Sequence, residues 1–488
     1  MDNPKPPTQN NTRVDLVAST GDITLQNETP PNDEKNDGLR GYFETAQWTA
    51  DGTTILTTSS SHLISGYMLP EDLLSPTATR PLTLTPQATI QLPEPSNVLA
   101  GAPYFRLAEP WTQQLLVSSR DHPIHLFYLS PASPSPSPAS CYPLMKAHSE
   151  TFLTATSLIW PSPGTHFIAG TRNMLALFDV TRTNSEPLTR IKTIPSDRHL
   201  SKGGGVGMRG AVSCLSAQPT SDADHGSLVA AGTWTRWVGL YDFASPGARA
   251  CVATWSITRA ATATATTTSS SSSRGVSGAD EGDAKIGGDG ITQTLWSPCG
   301  RYLLVGERKS TGILVYDVRV AGKLLGWLSG REALGNQRIS CDVFPGQEEA
   351  GGFEVWSGTT DGTVKVWEGV GTVEGAHAPA WKWATAATRG GSTVGSTCVH
   401  QSGSVVATCS GSWEFPDEDG DKDDDEDEIV TDDSQSQSSG SNSSSGGSSS
   451  DTGSDDSASE ISWMRRRNKE SSLQVWSVSN GTDEAAEP

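Results

Sequence analysis

The stretch WSGTTDGTVKVW, Trp356 to Trp367, decides the architecture. A β-branched run ends in Ser-Gly, a Thr-Asp-Gly turn follows, and a second alternating run closes on Trp. That pattern predicts two antiparallel strands joined by a tight turn. Variants of the same unit recur along the chain, and a repeated hairpin names an architecture before it suggests a task.

About seven copies align. They are QWTADGTTILTTSSSHLISGYML (Gln47–Leu69), LLVSSRDHPIHLFYL (Leu115–Leu129), IWPSPGTHFIAGTRNMLALFDV (Ile159–Val180) and SLVAAGTWTRWVGLYDF (Ser227–Phe243). LWSPCGRYLLVGERKSTGILVYDVR (Leu295–Arg319), the opening hairpin and a split copy complete the set. In the split copy, VVATCSGSW (Val405–Trp413) is parted from LQVWSV (Leu473–Val478). An aromatic closes each third strand: Tyr67, Phe127, Phe178, Tyr241, Tyr316, Trp367 and Trp476. Their spacing is uneven and always exceeds the ~40–45 residues of a minimal blade, so inserts belong in the loops.

Gly, Pro, Ser and Thr are abundant, and no stretch sustains a 3.6-residue apolar period. The expected fold is all-β: a seven-bladed propeller with disordered inserts, one closed domain of protected sheet edges. A strand within Val14–Gln26 is expected to complete the last blade. The domain plan is a disordered segment at 1–38 that includes this strand, a propeller over 39–413 and 471–479, and a tail at 480–488. A low-complexity loop at 260–290 and an acidic, Ser-rich insert at 414–470 interrupt the propeller.

The formal charge of −21 misleads if read as a property of the fold. Residues 41–413 carry 26 Lys and Arg against 28 Asp and Glu, while residues 414–460 carry 17 acids and one Lys. The blades are therefore close to neutral, and a nucleic-acid partner remains open. Seven Cys form no CxxC pair and no even framework, which reads as buried thiols of a reducing compartment. The polar, Pro-rich start MDNPKPPTQN has no apolar leader core, and no run of 18 apolar residues occurs. An intracellular, soluble protein without membrane contact is expected.

Topology gives the loops a direction. Turns between second and third strands share one face with the connections between blades. The inserts at Ala260 and Glu414 are thus expected on one face, and the Pro/Ser spacer Ser130–Ala139 on the other. The first face gathers basic and aromatic residues. Arg120, His122, Arg172, Trp234, Arg236, Trp237, Arg308 and Lys309 are read as turn residues. Arg198, Lys202 and Arg209 fall in one inter-blade loop, and Asn336, Gln337 and Arg338 in another. Arg and Trp interleaved on a rim suit RNA, through phosphate contacts and base stacking of about 1–3 kcal/mol per base. A solvated polar rim is the plainer reading of any single residue.

Other motifs fail on inspection. Gly205-x-Gly207-x-x-Gly210 matches the dinucleotide fingerprint, but the following AVSCLSAQP reads as a strand where a helix is needed. Asp417, Asp419, Asp421 and Glu428 have EF-hand spacing, but Lys422 stands where the sharp turn requires Gly. No HExxH, no GxSxG elbow and no His/Cys cluster occurs. No catalytic residue, metal site or cofactor is expected. Met464-Arg465-Arg466-Arg467 fits a nuclear-localisation patch or a counterweight to the acidic loop.

Particular strings go further. SSRDHPIHLFYL resembles a segment of the telomerase Cajal-body WD-repeat family, with Arg120, Pro123, Ile124 and His125 in its pattern. GWLSGREALGNQRISCDVFP is similar to that family's inter-blade stretch, with Arg331-Glu332 and Asn336-Gln337-Arg338-Ile339 in register. GYFETAQWTADGTTILTTSSSHLISGYMLPEDL resembles its first blade, and WSGTTDGTVKVW and VVATCSGSWEFPDED its last two. The likeness covers roughly 41–420, and Phe127-Tyr128 replaces the Trp-Asp of the family's second blade. The long inserts fit a fungal-type member, similar to nuclear spliceosome-linked WD-repeat proteins.

The resemblance implies a non-enzymatic scaffold that binds small Cajal-body or telomerase RNA of box H/ACA type together with its core proteins. It implies a nuclear location, nuclear bodies included, with a cytoplasmic pool, and no DNA contact. The competing reading is a protein–protein adaptor, in splicing or another nuclear complex, that touches no RNA.

Overall fold

The computed structural model describes residues 12–23, 41–75, 79–129, 137–146, 149, 151–194, 208–219, 228–243, 250–260, 286–346, 351–385, 392–414, 467–468 and 470–480. Seven small, mainly antiparallel sheets form a seven-bladed β-propeller. Blade 1 runs Phe43–Trp48, Thr54–Ser59, Leu63–Met68 and Ala88–Gln91 from the inner to the outer strand. Blade 2 uses Ser96–Gly101, Gln114–Ser119, Ile124–Tyr128 and Ser140–Tyr142, and blade 3 Ser157–Ile159, His166–Thr171, Met174–Asp179 and Thr189–Lys192. Blade 4 follows with Val212–Ala217, Val229–Thr233, Trp237–Tyr241 and Cys251–Ser256. Blade 5 comprises Ile291–Trp296, Tyr302–Glu307, Ser310–Asp317 and Leu324–Ala333; blade 6 comprises Cys341–Phe344, Phe353–Gly358, Thr363–Val370 and Trp381–Ala384.

Blade 7 takes Val394–Val399, Val405–Ser410 and Leu473–Asn480 from the C-terminal part and Thr12–Ser19 from the N-terminal part. Val14 pairs with Val478 and Ala18 with Val475, across a bulge after Leu16. Ser471 fastens the seam: its hydroxyl accepts from Phe43 N–H at 3.0 Å and donates to Ser410 O at 2.8 Å. The closing strand expected within Val14–Gln26 runs Thr12–Ser19, starting two residues earlier and ending sooner. Residues 413–467 form a separate unit, nearly all of it outside the described residues.

Neighbouring residues of one strand serve different cores, which is why the second strands read as unbroken apolar runs. Ile55 packs between blades 7 and 1, Leu56 between blades 1 and 2. Leu303 packs towards blade 4 and Leu304 towards blade 6. Val355 faces blade 5, whereas Trp356 faces blade 7. Seven apolar clusters result, one in each gap between adjacent blades, and the ring closes without an empty seam. The seven aromatics picked out by the repeats all lie in third strands.

Polar side chains stitch the inner strands. The Gln293 amide accepts from Cys341 N–H and donates to Cys341 O, both at 2.8 Å. Trp48 Nε1 donates to Cys398 O at 3.1 Å, and Trp296 Nε1 to Ser216 O at 3.2 Å. All seven Cys are free thiols. Cys214, Cys341, Cys398 and Cys409 are buried as expected, but Cys141 is half-buried and Cys251 and Cys299 are exposed. No helix among the described residues is long and apolar enough to cross a membrane.

Candidate functional site

The turns between second and third strands share a backbone device. His62, Asp121, Asn173, Arg236, Lys309 and Gly362 each take positive φ, between 52° and 82°, at the matching place in blades 1 to 6. A left-handed residue there reverses the chain tightly. Arg120, Arg172 and Arg308 immediately precede it in blades 2, 3 and 5, so one turn geometry presents three guanidinium groups on one rim.

These turns form a continuous arc with the inter-blade connections. Asp121 N–H donates to Thr154 Oγ1 at 3.1 Å, and Thr171 Oγ1 donates to Thr154 O at 2.9 Å. Arg172 bridges Ala211, and Gly210 N–H donates to Asn173 Oδ1 at 2.7 Å. Thr235 Oγ1 then bonds Arg209 O. The next residue back, Trp234, carries two cations: Arg308 Cζ lies 4.7 Å and Arg338 Cζ 5.2 Å from its ring centroid. Gln337 Nε2 donates to Gly411 O at 2.9 Å and brings the arc to blade 7.

Not every expected site residue is available to a ligand. Arg236 grips Glu307 through two bonds, Nε to Oε1 at 2.6 Å and Nη2 to Oε2 at 3.0 Å. Glu307 also accepts from Gly288 N–H at 3.1 Å, so this arginine is a structural tie between blades 4 and 5. Trp237 is not a turn residue: it opens a third strand and packs on the core between blades 3 and 4. The turn ends at Arg236, and Trp237 already pairs with Ser256. Lys309 leans on Asp289 at 3.6 Å, and Arg120 lies 3.7 Å from Asp121; both pairs are exposed and weak. His122 Nδ1 is bonded to Arg120 O at 2.7 Å. Arg198 and Lys202 lie outside the described residues, as do Gly205, Gly207 and the acidic EF-hand-like run.

Beneath the arc, the inner strands of blades 1, 2, 5, 6 and 7 line a cavity of about 830 Å³. Asn336, Gln337 and Arg338 stand in its wall with Glu44 and Asp342. Burial pushes the Glu44 carboxyl up, and Arg338 pulls it back down. Asp342 is pushed up to about 6 by burial, against two backbone bonds, from Val399 and Val343 N–H at 2.8 Å each. Crowding in this wall lowers the Arg338 pKa, and the nearby Arg308 charge lowers it further.

Sequence reading missed Arg331 as a structural element. Its buried guanidinium donates to Glu307 O at 3.2 Å, Ser310 Oγ at 3.5 Å, Ser357 Oγ at 3.4 Å and Ile339 O. A charged side chain among apolar strand residues was the available signal. Among the described residues, no three His, Cys, Asp or Glu side chains gather as a metal site.

Fold and repeats together define a seven-bladed β-propeller, consistent with the WD-repeat family. It is 27% identical over 338 residues to the guanine nucleotide-binding protein negative regulator 1 of Schizosaccharomyces pombe, covering 69% of this chain and 73% of that protein. It is 26% identical over 393 residues to telomerase Cajal body protein 1 of Bos taurus, covering 78% of this chain and 60% of that one. The Homo sapiens counterpart is 26% identical over 334 residues, which is 67% of this chain and 50% of that protein. The chain thus spans half to three-fifths of those mammalian relatives. No family model matches it.

Proposed function

We propose that this propeller is a non-enzymatic scaffold of nuclear ribonucleoproteins whose rim binds a structured small RNA of box H/ACA type and its core proteins. The observation that carries the reading is the arc from Arg172 through Arg209, Trp234 and Arg308 to Arg338. It sets arginine residues along one rim of a blade ring that is otherwise near neutral, with the Arg308 and Arg338 guanidinium groups gathered on Trp234. Such a line suits a polyanion, whose counterions leave as cations replace them. The mammalian relatives, named for telomerase and the Cajal body, support a nuclear setting. Small Cajal-body RNA and telomerase RNA are the preferred ligands.

The second reading is a protein–protein adaptor without RNA contact. The fission-yeast relative favours it, since that protein is named as a regulator of a guanine nucleotide-binding protein. Ultraviolet crosslinking in cells, followed by sequencing of the bound RNA, separates the two. Recovery of box H/ACA-type RNA supports the scaffold; protein partners recovered with no crosslinked RNA would replace it with the adaptor.

A further inference from the structure

Trp234, Arg308 and Arg338 come from the blade 4 turn, the blade 5 turn and the connection between blades 5 and 6. Each guanidinium gains a cation–π contact of about 0.5–2 kcal/mol with the indole. Two cations on one ring also repel each other, and the Arg308 charge disfavours the charged form of Arg338. Neither arginine has a carboxylate within ion-pair distance among the described residues. The acids flanking Arg308 in the blade 5 turn and its entry are engaged elsewhere: Glu307 on Arg236 and Asp289 on Lys309. Glu44 reaches Arg338 through its field alone.

Arg308 carries a second anomaly. Its Nε is buried and has no hydrogen-bond acceptor. A buried donor left unmade costs about 1–3 kcal/mol, and more on a charged group. An oxyanion placed here would accept from that donor and quench the repulsion between the two arginines. Arg338 and Asn336 line the neighbouring cavity, and Asn336 is exposed.

We propose that Arg308 and Arg338, held against Trp234, form an oxyanion site for a phosphate group of a polynucleotide backbone. This assignment rests on the RNA reading above and gives it a defined contact. Trp234 is then the floor that orients two cations and not a platform for a base. Arg120 and Arg172, at the turn position that Arg308 occupies in blade 5, repeat the cation along the rim as a continuous phosphodiester requires. Free phosphate offers the same chemistry, and the guanidinium fork fits either source in a bidentate manner.

The test uses the full chain. Thermal unfolding is followed in sodium phosphate and in sodium chloride at matched ionic strength. Binding of a folded box H/ACA-type RNA is titrated in parallel over a salt series. Phosphate is expected to raise the melting temperature of the wild type above the chloride value, and to lose that effect in Arg308→Gln and in Arg338→Gln. Each variant should lower the salt slope of RNA binding by about one. Arg338→Lys should keep the slope and lose part of the phosphate effect. Because the Arg338 side chain is exposed, its variants serve should Arg308→Gln fail to fold. Phosphate stabilisation that persists in both Gln variants overturns the site. An unchanged RNA slope in folded variants overturns it too, while leaving the RNA reading intact. Phosphate protection lost in the variants, with no RNA binding by the wild type, keeps the oxyanion site for free phosphate and discards the RNA reading. Stronger protection by polyglutamate than by RNA of equal charge would overturn the assignment in favour of a protein carboxylate.

Discussion

Arg236 and Glu307 face each other across the gap between blades 4 and 5, with Nε 2.6 Å from Oε1 and the acid side chain 2% exposed. The carboxylate also accepts from Gly288 N–H, while Arg331 hydrogen-bonds the Glu307 main-chain oxygen. One buried acid therefore holds the blade 4 turn, the blade 5 edge and the entry to blade 5 in a single arrangement. Blade 6 is drawn in through the Arg331 bond to Ser357.

Glu307→Gln should accordingly be costly, because it leaves the Arg236 charge without its acid and removes the negative charge that favours the buried Arg331 cation. Losing one partner of a buried pair costs about 3–5 kcal/mol. Urea unfolding should show the unfolding free energy, extrapolated to water, lowered by that amount. Arg236→Gln alone should cost less, since the Arg236 side chain keeps 19% of its exposure and the acid keeps Gly288. Equal costs for the two variants would mean that Glu307 acts through Arg236 alone.

The closing strand gives a second expectation. Val17 and Ala18 are fully buried in the cluster between blades 7 and 1. Val17→Asp places an unpaired carboxylate in that core, at a cost well above about 2 kcal/mol. It should also free the edge of Leu473–Asn480, whose unpaired backbone groups favour self-association. Calorimetry and light scattering would register a lower melting temperature together with aggregation. A monomeric variant of wild-type stability would show that Thr12–Ser19 contributes little to closure.

How far the sequence carries the architecture is visible in these cases. Trp356–Trp367 and its copies are local patterns: period-two alternation and turn residues are written in consecutive positions, so blade number and third-strand aromatics could be read directly. Turn position was also local, and it gathered Arg120, Arg172 and Arg308 correctly onto equivalent turns. Pairings between distant segments were not legible. Arg236 and Glu307 lie 71 positions apart, and nothing beside either residue tells a ligand-binding arginine from a structural one. Trp237 was misjudged for a smaller reason, since the turn ends on the left-handed Arg236, a residue type that rarely takes positive φ.

Asp342 provides a pH dependence with a definite sign. Burial pushes its carboxyl up to about 6, whereas an unfolded Asp titrates near 3.9. Between those values the folded chain holds a proton that the unfolded chain has released. Stability therefore falls as pH rises through roughly 4 to 6, with a limiting slope of about 1.4 kcal/mol per pH unit from this group. Glu44 and Glu354, also raised by burial, act in the same direction. Asp342→Asn should remove its share of the slope when urea midpoints are compared from pH 4 to pH 7. An identical slope in the variant would show that the cavity wall solvates this carboxylate.

The loop that enters blade 4 supplies the last expectation, and it is independent of the Arg308–Arg338 pair. Arg198, Lys202 and Arg209 fall in one connection of 15 residues, SDRHLSKGGGVGMRG, set among glycines. At its end, Arg209 is tied to the rim through Thr235. If the three side chains contact phosphates, replacing them together by Gln should weaken binding of RNA of any sequence and lower the salt slope by about three. The fold should be untouched, because the apolar residues that enter the core here, Met208 and Val212, are retained. Anisotropy titrations over a salt series, with the melting temperature as a control, measure both quantities. A folded triple variant with the wild-type slope would remove this loop from the interface and confine RNA contact to the turns.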